Sequence, residues 1–349
     1  MSALIRGSVS RFAVVLLSLA TSSVLSAAPQ YRIHPIPEIK TMHPRTAAAI
    51  NERNVVAGGG VVSVADRQGG AYLASRGGLT ALPGIDSSYQ VDIADVNKHN
   101  VVVGNINGEA MMWASNGTPL NLNGLIGCGR SVAAGVNDAG VVVGTFSCLD
   151  PDGLETHDAS FAFHDGVLTQ IGDFGKDTTY INGINNAGQL VGTFGAKPDS
   201  LPKPYHASIW QGGERIDLGT LGGPRSSGWA INAKGHVIGQ SEDEFHQWNG
   251  FLHDGVSMKP LTSCAGRFVY PMALNEHDQI IGYYTLDDGT LVPFLIDQGR
   301  CQDLNVLLDD SRDGWTSLLA MDINDAGVIV GTGSFGGRLR AFVATPIRP

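Results

Sequence analysis

Apolar and polar residues alternate along this chain in short runs that recur seven times. Each copy follows the pattern of Ile323-Asn324-Asp325-Ala326-Gly327-Val328-Ile329-Val330-Gly331, in which a glycine stands seven residues after the asparagine. β-Branched and small residues flank the polar centre in runs of strand length. The copies begin at Asn51, Asn97, Asn137, Asn185, Asn232, Asn275 and Asn324.

The polar centre of the repeat predicts a tight hairpin turn. Asparagine suits the first position of a type I turn, because its side chain can accept a hydrogen bond from the backbone two residues on. The fourth position is glycine, asparagine or aspartate in every copy, and these residue types tolerate a positive φ. Each copy therefore predicts a strand, a turn and a second strand.

The spacing of the hairpins predicts the fold. Successive asparagines lie 46, 40, 48, 47, 43 and 49 residues apart, which is the period of propeller blades. A third and a fourth short strand follow most hairpins, but the last copy lacks the fourth, which residues 31–36 can supply. We predict an all-β, seven-bladed β-propeller of four-stranded antiparallel blades over residues 28–349, closed by an N-terminal strand. A parallel β-solenoid is the alternative, although hairpin turns give antiparallel strands.

Residues 1–27 have the composition of a secretory signal peptide. Arg6 and Arg11 precede an apolar run over residues 12–19, and small residues precede Pro29. A membrane anchor is the alternative, but the run is shorter than the about 20 residues that a span needs. We expect cleavage near Ala27, no membrane span in the mature chain, and a secreted or periplasmic location.

Charge argues against one class of partner. Removal of residues 1–27 takes away two arginines and no acids, so the formal net charge changes from −10 to −12. Nucleic acid is therefore not an expected partner, since phosphate binding needs clustered Lys and Arg.

Four cysteines in an exported chain can form disulfides. Cys128 and Cys148 flank the third hairpin and lie almost opposite each other across the strand pair, so we predict a disulfide between them. Cys264 follows an outer strand and Cys301 precedes one, so we expect these two at opposite ends of a blade. Free or loosely paired thiols are an open alternative for them.

Several segments together resemble the bacterial extracellular HAF-repeat family. They are the pattern Ala-x-x-Ile-Asn-x-x-Gly-x-x-x-Gly, Tyr205-His206-Ala207-Ser208-Ile209-Trp210 and Asp217-Leu218-Gly219-Thr220-Leu221-Gly222-Gly223. The terminal repeat of that family is resembled by Asp303-Leu304-Asn305, Gly314-Trp315 and the last hairpin. The resemblance covers about residues 45–345, but only His206 keeps the histidine of the name, and Arg340 replaces it before Ala341-Phe342. It implies an exported repeat protein of unassigned activity and no catalytic residues.

The longest loops indicate where a ligand is expected to bind. In a four-stranded blade, the loop between strands two and three shares a face with the connections between blades, and residues 149–158, 196–205 and 242–248 fall there. Variable loops on a rigid scaffold usually carry binding. The last of these loops contains the nearest approach to an acid–base cluster, formed by Glu242, Asp243, Glu244 and His246.

Three arginines and a group of acids are further candidates. Arg130, Arg225 and Arg267 stand seven or eight residues before a repeated asparagine, and we expect them to converge near one mouth of the channel, where they would bind a carboxylate or an acidic glycan. Asp150, Asp152, Glu155 and Asp158 offer oxygen ligands for a hard cation. The segment Asp309-x-Ser311-x-Asp313-Gly314 matches part of a calcium loop, although Asp-Gly pairs are also common in turns.

The sequence contains no motif for catalysis or for a cofactor. Its histidines are not spaced like metal ligands, and neither a nucleophile elbow nor a phosphate-binding glycine loop is present. We therefore expect no cofactor and a monomeric binding or interaction module whose partner is an extracellular glycan or a surface protein. A propeller hydrolase or lyase acting on extracellular polysaccharide is the alternative.

Overall fold

The strands of the molecule form a β-propeller. The computed structural model describes residues 30–63, 68–83, 91–149, 156–171, 177–196, 205–262, 264 and 268–347. Within them, seven antiparallel sheets of four strands each form the blades, and every predicted hairpin supplies the two inner strands of one blade. The predicted fold is thus confirmed. The predicted signal peptide, residues 1–27, lies outside the described residues.

The blades follow one another in chain order after β1 (Tyr31–Pro35). Blades 1 to 3 contain β2 (His43–Ile50), β3 (Val56–Ser63), β4 (Gln68–Ser75), β5 (Gly78–Leu82), β6 (Val91–Val96), β7 (Val102–Ile106), β8 (Glu109–Trp113), β9 (Pro119–Asn121), β10 (Arg130–Val136), β11 (Val142–Leu149), β12 (Thr156–His164) and β13 (Val167–Ile171). Blades 4 to 7 contain β14 (Asp177–Ile184), β15 (Leu190–Ala196), β16 (His206–Gln211), β17 (Glu214–Asp217), β18 (Gly222–Ile231), β19 (Val237–Asp243), β20 (Trp248–His253), β21 (Met258–Pro260), β22 (Phe268–Leu274), β23 (Ile280–Thr285), β24 (Leu291–Asp297), β25 (Arg300–Asp303), β26 (Trp315–Ile323), β27 (Ile329–Phe335) and β28 (Arg338–Pro346). Short helices α1 (Asn123–Ile126) and α2 (Leu304–Leu307) lie in the connections after blades 2 and 6.

The N-terminal strand closes the ring, as predicted. β1 pairs antiparallel with β28, and Tyr31 lies opposite Pro346, so blade 7 has the strand order β1-β28-β27-β26. Tyr31 and Ile33 are buried in the same core cluster as Trp315 and Phe342. The last blade is therefore built from both ends of the described chain.

The repeated asparagines form a closed ring of hydrogen bonds. Each Oδ1 accepts from the backbone N–H four residues on, which fixes its own turn. Each Nδ2 donates to the carbonyl oxygen of the asparagine in the next blade, at 2.8–3.3 Å. Asn324 of blade 7 donates to Asn51 of blade 1 at 3.1 Å. All seven side chains are buried, so one residue type both shapes the turn and joins neighbouring blades.

The repeated glycine is required by a close approach of two strands. A Cβ at any of the seven glycines would lie 1.9–2.5 Å from a carbonyl oxygen of the inner strand, which bulges at this point. Side chains of the third strand, such as Tyr72 and Phe342, cover the space that remains. The predicted turn geometry is also confirmed, since the fourth residue of every turn has a positive φ.

Both cysteine pairs form disulfides. Cys128–Cys148, with Cα atoms 4.8 Å apart, confirms the predicted bridge. The expectation that Cys264 and Cys301 lie at opposite ends of a blade is wrong, because they are bonded with Cα atoms 5.0 Å apart. Cys301 is the second residue of the four-residue strand β25, and the buried Cys264 packs beside it in the core between blades 5 and 6. Two disulfides indicate an oxidising compartment outside the cytoplasm.

Candidate functional site

The two faces of the propeller differ in their exposed side chains. We call the face with the asparagine turns the turn face, and the opposite face, with the loops between strands two and three, the loop-bearing face. Eleven of the fifteen exposed large hydrophobic residues in the described part of the chain lie in the half of the molecule next to the loop-bearing face. They are Val62, Leu125, Val132, Leu149, Tyr180, Phe245, Phe268, Leu286, Leu291, Val306 and Leu339.

On this face, blades 4 and 5 bring together Tyr205, Arg225, Glu242, His246 and Trp248, which we call the Arg225 cluster. Tyr205 precedes β16 and forms a parallel bridge with Arg225 on the inner strand β18. Glu242 and Trp248 pair directly at the ends of β19 and β20. The guanidinium carbon of Arg225 lies 6.0 Å from the ring centroid of Tyr205 and 5.5 Å from that of Trp248.

A buried ion pair lies at the centre of the cluster. Nε of Arg225 donates to Oε1 of Glu242 at 3.0 Å, and Nη2 donates to the same oxygen. This bond raises the pKa of Arg225 above its ordinary value. The Glu242 side chain is 1% exposed, whereas that of Arg225 is 34% exposed. Oε2 of Glu242 is also buried but accepts no hydrogen bond, and Nδ1 of His246 lies 4.0 Å from it.

The loop after Glu242 repeats the geometry of the asparagine turns. Oδ1 of Asp243 accepts from the N–H groups of Phe245 and Gln247 at 2.9 Å, and His246 has a φ of 59°. The backbone hydrogen bond from Gln247 is the main cause that lowers the pKa of Asp243. Glu244 is exposed. Of the acid–base cluster in the sequence, Asp243 therefore builds the turn, while Glu242 pairs with Arg225.

The structure places two of the three predicted arginines, Arg130 and Arg225. Arg130 begins β10 and lies beside Gly108 of blade 2, where a Cβ would be 3.3 Å from its Nη2. Arg225 lies between blades 4 and 5, against Glu242 and two aromatic rings. The two arginines thus occupy grooves between different pairs of blades, and Arg267 lies outside the described residues.

The predicted cation sites are mostly outside the described residues or are used otherwise. Asp150, Asp152 and Glu155 lie outside them. The two carboxylate oxygens of Asp158 accept hydrogen bonds from the hydroxyls of Ser147 and Tyr180. Asp309 accepts from Arg32 at 2.9 Å and from the N–H of Ser311 at 3.0 Å, and the bonds from Ser311 and Arg32 lower its pKa to about 2. Where the structure is described, no group of three His, Cys, Asp or Glu side chains is placed to hold a metal ion.

The histidine of the family resemblance has a structural contact. Nδ1 of His206 lies 2.8 Å from Oδ2 of Asp217 on the neighbouring outer strand. Burial would raise the pKa of Asp217, but hydrogen bonds from the N–H of Gly219 and from His206 lower it. In blade 7, Arg340 donates instead to Glu38. A polar contact between the third strand and a carboxylate outside it is thus present both with the histidine and with the arginine that replaces it.

Two aspartates of the inner strands, both partly buried, were not singled out by the sequence. Asp95 accepts from the N–H groups of Val96 at 2.7 Å and Val136 at 2.9 Å, and Asp322 from Ile50 at 2.7 Å and Ile323 at 2.8 Å. Burial raises the pKa of Asp95 to about 6. Burial, followed by the charge of Asp95, raises the pKa of Asp322 to about 8. The sequence does contain a sign of these two aspartates: each stands two residues before a repeated asparagine, where the other blades have alanine or glycine.

Comparison with known proteins identifies the fold. No protein-family model matches the sequence, and a search of curated proteins finds no match. The β-propeller domain of the Trilobed protease from Pyrococcus furiosus is 12% identical, with a TM-score of 0.52 over 74% of this chain and 80% of that chain. Pyrococcus horikoshii acylaminoacyl peptidase is 8% identical, with a TM-score of 0.59 over 88% of this chain and 52% of that chain.

A puromycin-hydrolyzing peptidase from Mycobacterium tuberculosis is 12% identical, with a TM-score of 0.52 over 88% of this chain and 52% of that chain. This chain therefore spans about half the length of either peptidase. At such identities the similarity shows the propeller fold alone. In the described part of the chain, no helix is long and apolar enough to cross a membrane.

Proposed function

We propose that this chain is an exported, monomeric binding module of the HAF-repeat kind, which engages an extracellular glycan through its loop-bearing face. The signal-peptide composition of residues 1–27 supports export, and the two disulfides support an oxidising, secreted or periplasmic location. The formal charge of −12 without residues 1–27 argues against nucleic acid as the partner.

The distribution of exposed apolar side chains carries the proposal. Phe245 of blade 5 and Phe268, Leu286 and Leu291 of blade 6 all lie on the loop-bearing side, and Phe245 stands in the same loop as His246 of the Arg225 cluster. An exposed apolar area rimmed by polar groups is the common mark of an interaction site on a propeller of otherwise mixed surface. The turn face, where the asparagine ring lies, has fewer such side chains among the described residues.

The alternative of a polysaccharide hydrolase or lyase gains no support from the site. Glycoside cleavage uses two carboxyl groups that face the scissile bond. At the Arg225 cluster, Glu242 is buried in an ion pair, and Asp243 is bound by the backbone of its own turn. The two carboxylates are therefore not available as the pair of catalytic groups that glycoside cleavage needs.

The test compares variants on the two faces. Phe268→Lys with Leu291→Lys adds two charges to the loop-bearing face, and Val167→Lys with Val256→Lys adds the same charges near the turn face. Binding to a glycan array is measured for the mature chain and for both double variants. We expect at least about tenfold weaker binding for the loop-face variant only, which corresponds to about 1.4 kcal/mol.

Two results would overturn the proposal. One is that the mature chain binds no glycan on the array, which would favour a surface protein as partner. The other is that the turn-face variant loses binding as strongly as the loop-face variant does. Thermal melting of both variants shows whether the ring remains folded.

A further inference from the structure

The charge balance of the Arg225 cluster disfavours an anionic ligand. Glu242 is 1% exposed, and a buried carboxylate needs a partner to offset its desolvation. Arg225 provides that partner through Nε and Nη2. An anionic ligand would have to compete with Glu242 for the same cation, so a neutral ligand fits the cluster better.

Arg225 still has hydrogen-bond donors to offer. A guanidinium group has five N–H bonds, and Oε1 of Glu242 accepts from two of its nitrogens. The side chain is 34% exposed and is fixed between the Tyr205 and Trp248 rings. A guanidinium held in this way presents a planar fork that suits two neighbouring oxygen acceptors.

Glu242 offers the complementary acceptor. Its Oε2 atom is buried and accepts no hydrogen bond, which is uncommon for a carboxylate in a folded protein and costs free energy. Nδ1 of His246 lies 4.0 Å away, and that side chain is 70% exposed, so Oε2 lies close to an exposed residue of the loop. The cluster thus presents donors and an acceptor side by side. A hydroxyl group can accept a hydrogen bond from Arg225 and donate one to Glu242, whereas an anion cannot donate and a cation cannot accept.

Aromatic rings border the polar groups. Trp248 and Tyr205 lie on Arg225, and Phe245, 72% exposed, stands in the same loop as His246. Such rings pack against the apolar C–H face of a ligand while neighbouring polar groups fix its orientation.

We infer that the Arg225 cluster is a subsite for a neutral sugar residue, which Arg225 and Glu242 bind through adjacent hydroxyl groups and which Trp248 and Phe245 contact on its apolar face. This inference rests on the proposed glycan-binding function and adds the place and the class of sugar. The arginines alone would favour an acidic glycan, and the inference specifies a neutral one instead.

The test measures affinity for neutral and acidic sugars of equal length. The probes are the hexasaccharides of maltose, cellulose, xylan and mannan type, and hexagalacturonate as the acidic probe, titrated by calorimetry against the mature chain. We expect at least one neutral probe to bind more tightly than hexagalacturonate. Trp248→Leu and Arg225→Lys should each weaken this binding at least about tenfold. The lysine keeps a positive charge beside Glu242 but lacks the planar fork of the guanidinium group. Trp210→Leu, a tryptophan of blade 4 near the turn face, is the matched control and should bind like the unaltered chain.

The outcomes separate this inference from the proposed function. If hexagalacturonate binds more tightly than every neutral probe, the inference is wrong and the arginine acts on an anion. The inference is also wrong if a neutral probe binds, the double variant Phe268→Lys with Leu291→Lys abolishes this binding, and neither Trp248→Leu nor Arg225→Lys abolishes it. In that case the loop-bearing face remains the binding face. If no glycan binds at all, both fail. Trp248→Leu leaves the ion pair intact, so it keeps the test valid even if Arg225→Lys does not fold.

Discussion

Asp322 and Asp95 show how a single residue can alter one blade of a repeat. Both occupy the position two residues before the repeated asparagine, where other blades have Ala49, Ala230 or Ala273. Each carboxylate accepts one N–H from its own strand and one from the next blade. Asp322 thereby joins blade 7 to blade 1, at the point where the ring closes.

The raised pKa of Asp322 makes stability depend on pH. Its ordinary pKa is 3.8, and burial, with the charge of Asp95, raises it to about 8 in the folded chain. Between these pH values the folded chain holds a proton that the unfolded chain has released. The stabilising contribution is therefore complete below about pH 4 and is lost as the pH rises towards 8.

Replacement of Asp322 by alanine tests this pH dependence. The fold accepts alanine at this position in three other blades. We expect the free energy of unfolding of the unaltered chain, relative to Asp322→Ala, to fall by a few kcal/mol between pH 5 and pH 9. Urea denaturation at both pH values measures the difference. Asp288→Ala, at an exposed turn, is the control and should show no such trend; a constant difference for Asp322→Ala would contradict the assignment.

At the same scale, the sequence predicted the residues of the Arg225 cluster but not their contacts. Arg225 and Glu242 were singled out separately, one by its distance from an asparagine and the other by its charged neighbours. They meet because β18 and β19 are adjacent and the register that pairs Ser226 with Ser241 places Arg225 opposite Glu242. This register follows a shift between Gly228 and Ala230, and such a shift moves a side chain to a new partner, so counting residues back from the turn does not predict the pair.

The hairpin is the element that the sequence predicted best. Turn type, the residue with positive φ and both flanking strands follow from local rules, and all are found. The bond from each asparagine to the next blade did not follow, because turn chemistry already explains why asparagine occupies the position. Nothing local indicates that the remaining Nδ2 group has a partner about forty residues further along the chain.

Asn185 and Asn186 allow a buried ring asparagine to be compared with an exposed neighbour. Nδ2 of Asn185 donates to the carbonyl of Asn232 at 2.8 Å, and its Oδ1 accepts from Gln189 at 2.9 Å. Asn185→Ala leaves the N–H of Gln189 without its acceptor and removes one of the two hydrogen bonds that the carbonyl of Asn232 accepts, the other coming from the N–H of Gly235. We expect a loss of about 2 kcal/mol in the free energy of unfolding. Urea denaturation measures it.

Asn186→Ala is the matched control for this change. Asn186 is exposed, and within the described residues its side chain bonds to Asp138 alone, so its removal should cost about 0.5 kcal/mol or less. Equal losses for the two variants would show that a buried asparagine of the ring stabilises the fold no more than its exposed neighbour does.

For the whole molecule, the sequence predicted the number of blades and the way the ring closes. The incomplete last copy and the unassigned strand before the first copy were sufficient, since a propeller that closes leaves no long sheet edge. The groove that holds the Arg225 cluster could not be predicted in this way. It depends on how blades 4 and 5 pack side by side, and that contact places Tyr205 of one blade on Arg225 of the other.

Removal of β1 tests the closure. A chain that begins at Glu38 lacks the strand that pairs with β28 and the buried Tyr31 and Ile33. It exposes the backbone groups of β28 along a free edge, so we expect aggregation or association of copies and loss of a cooperative thermal transition. Light scattering after size exclusion and calorimetry measure both, with the mature chain as reference.

Arg32→Ala keeps the strand and removes only a partly exposed ion pair with Asp309, so it should cost less than about 1 kcal/mol. A monomeric truncated chain with an unchanged melting temperature would mean that the ring does not depend on its N-terminal strand.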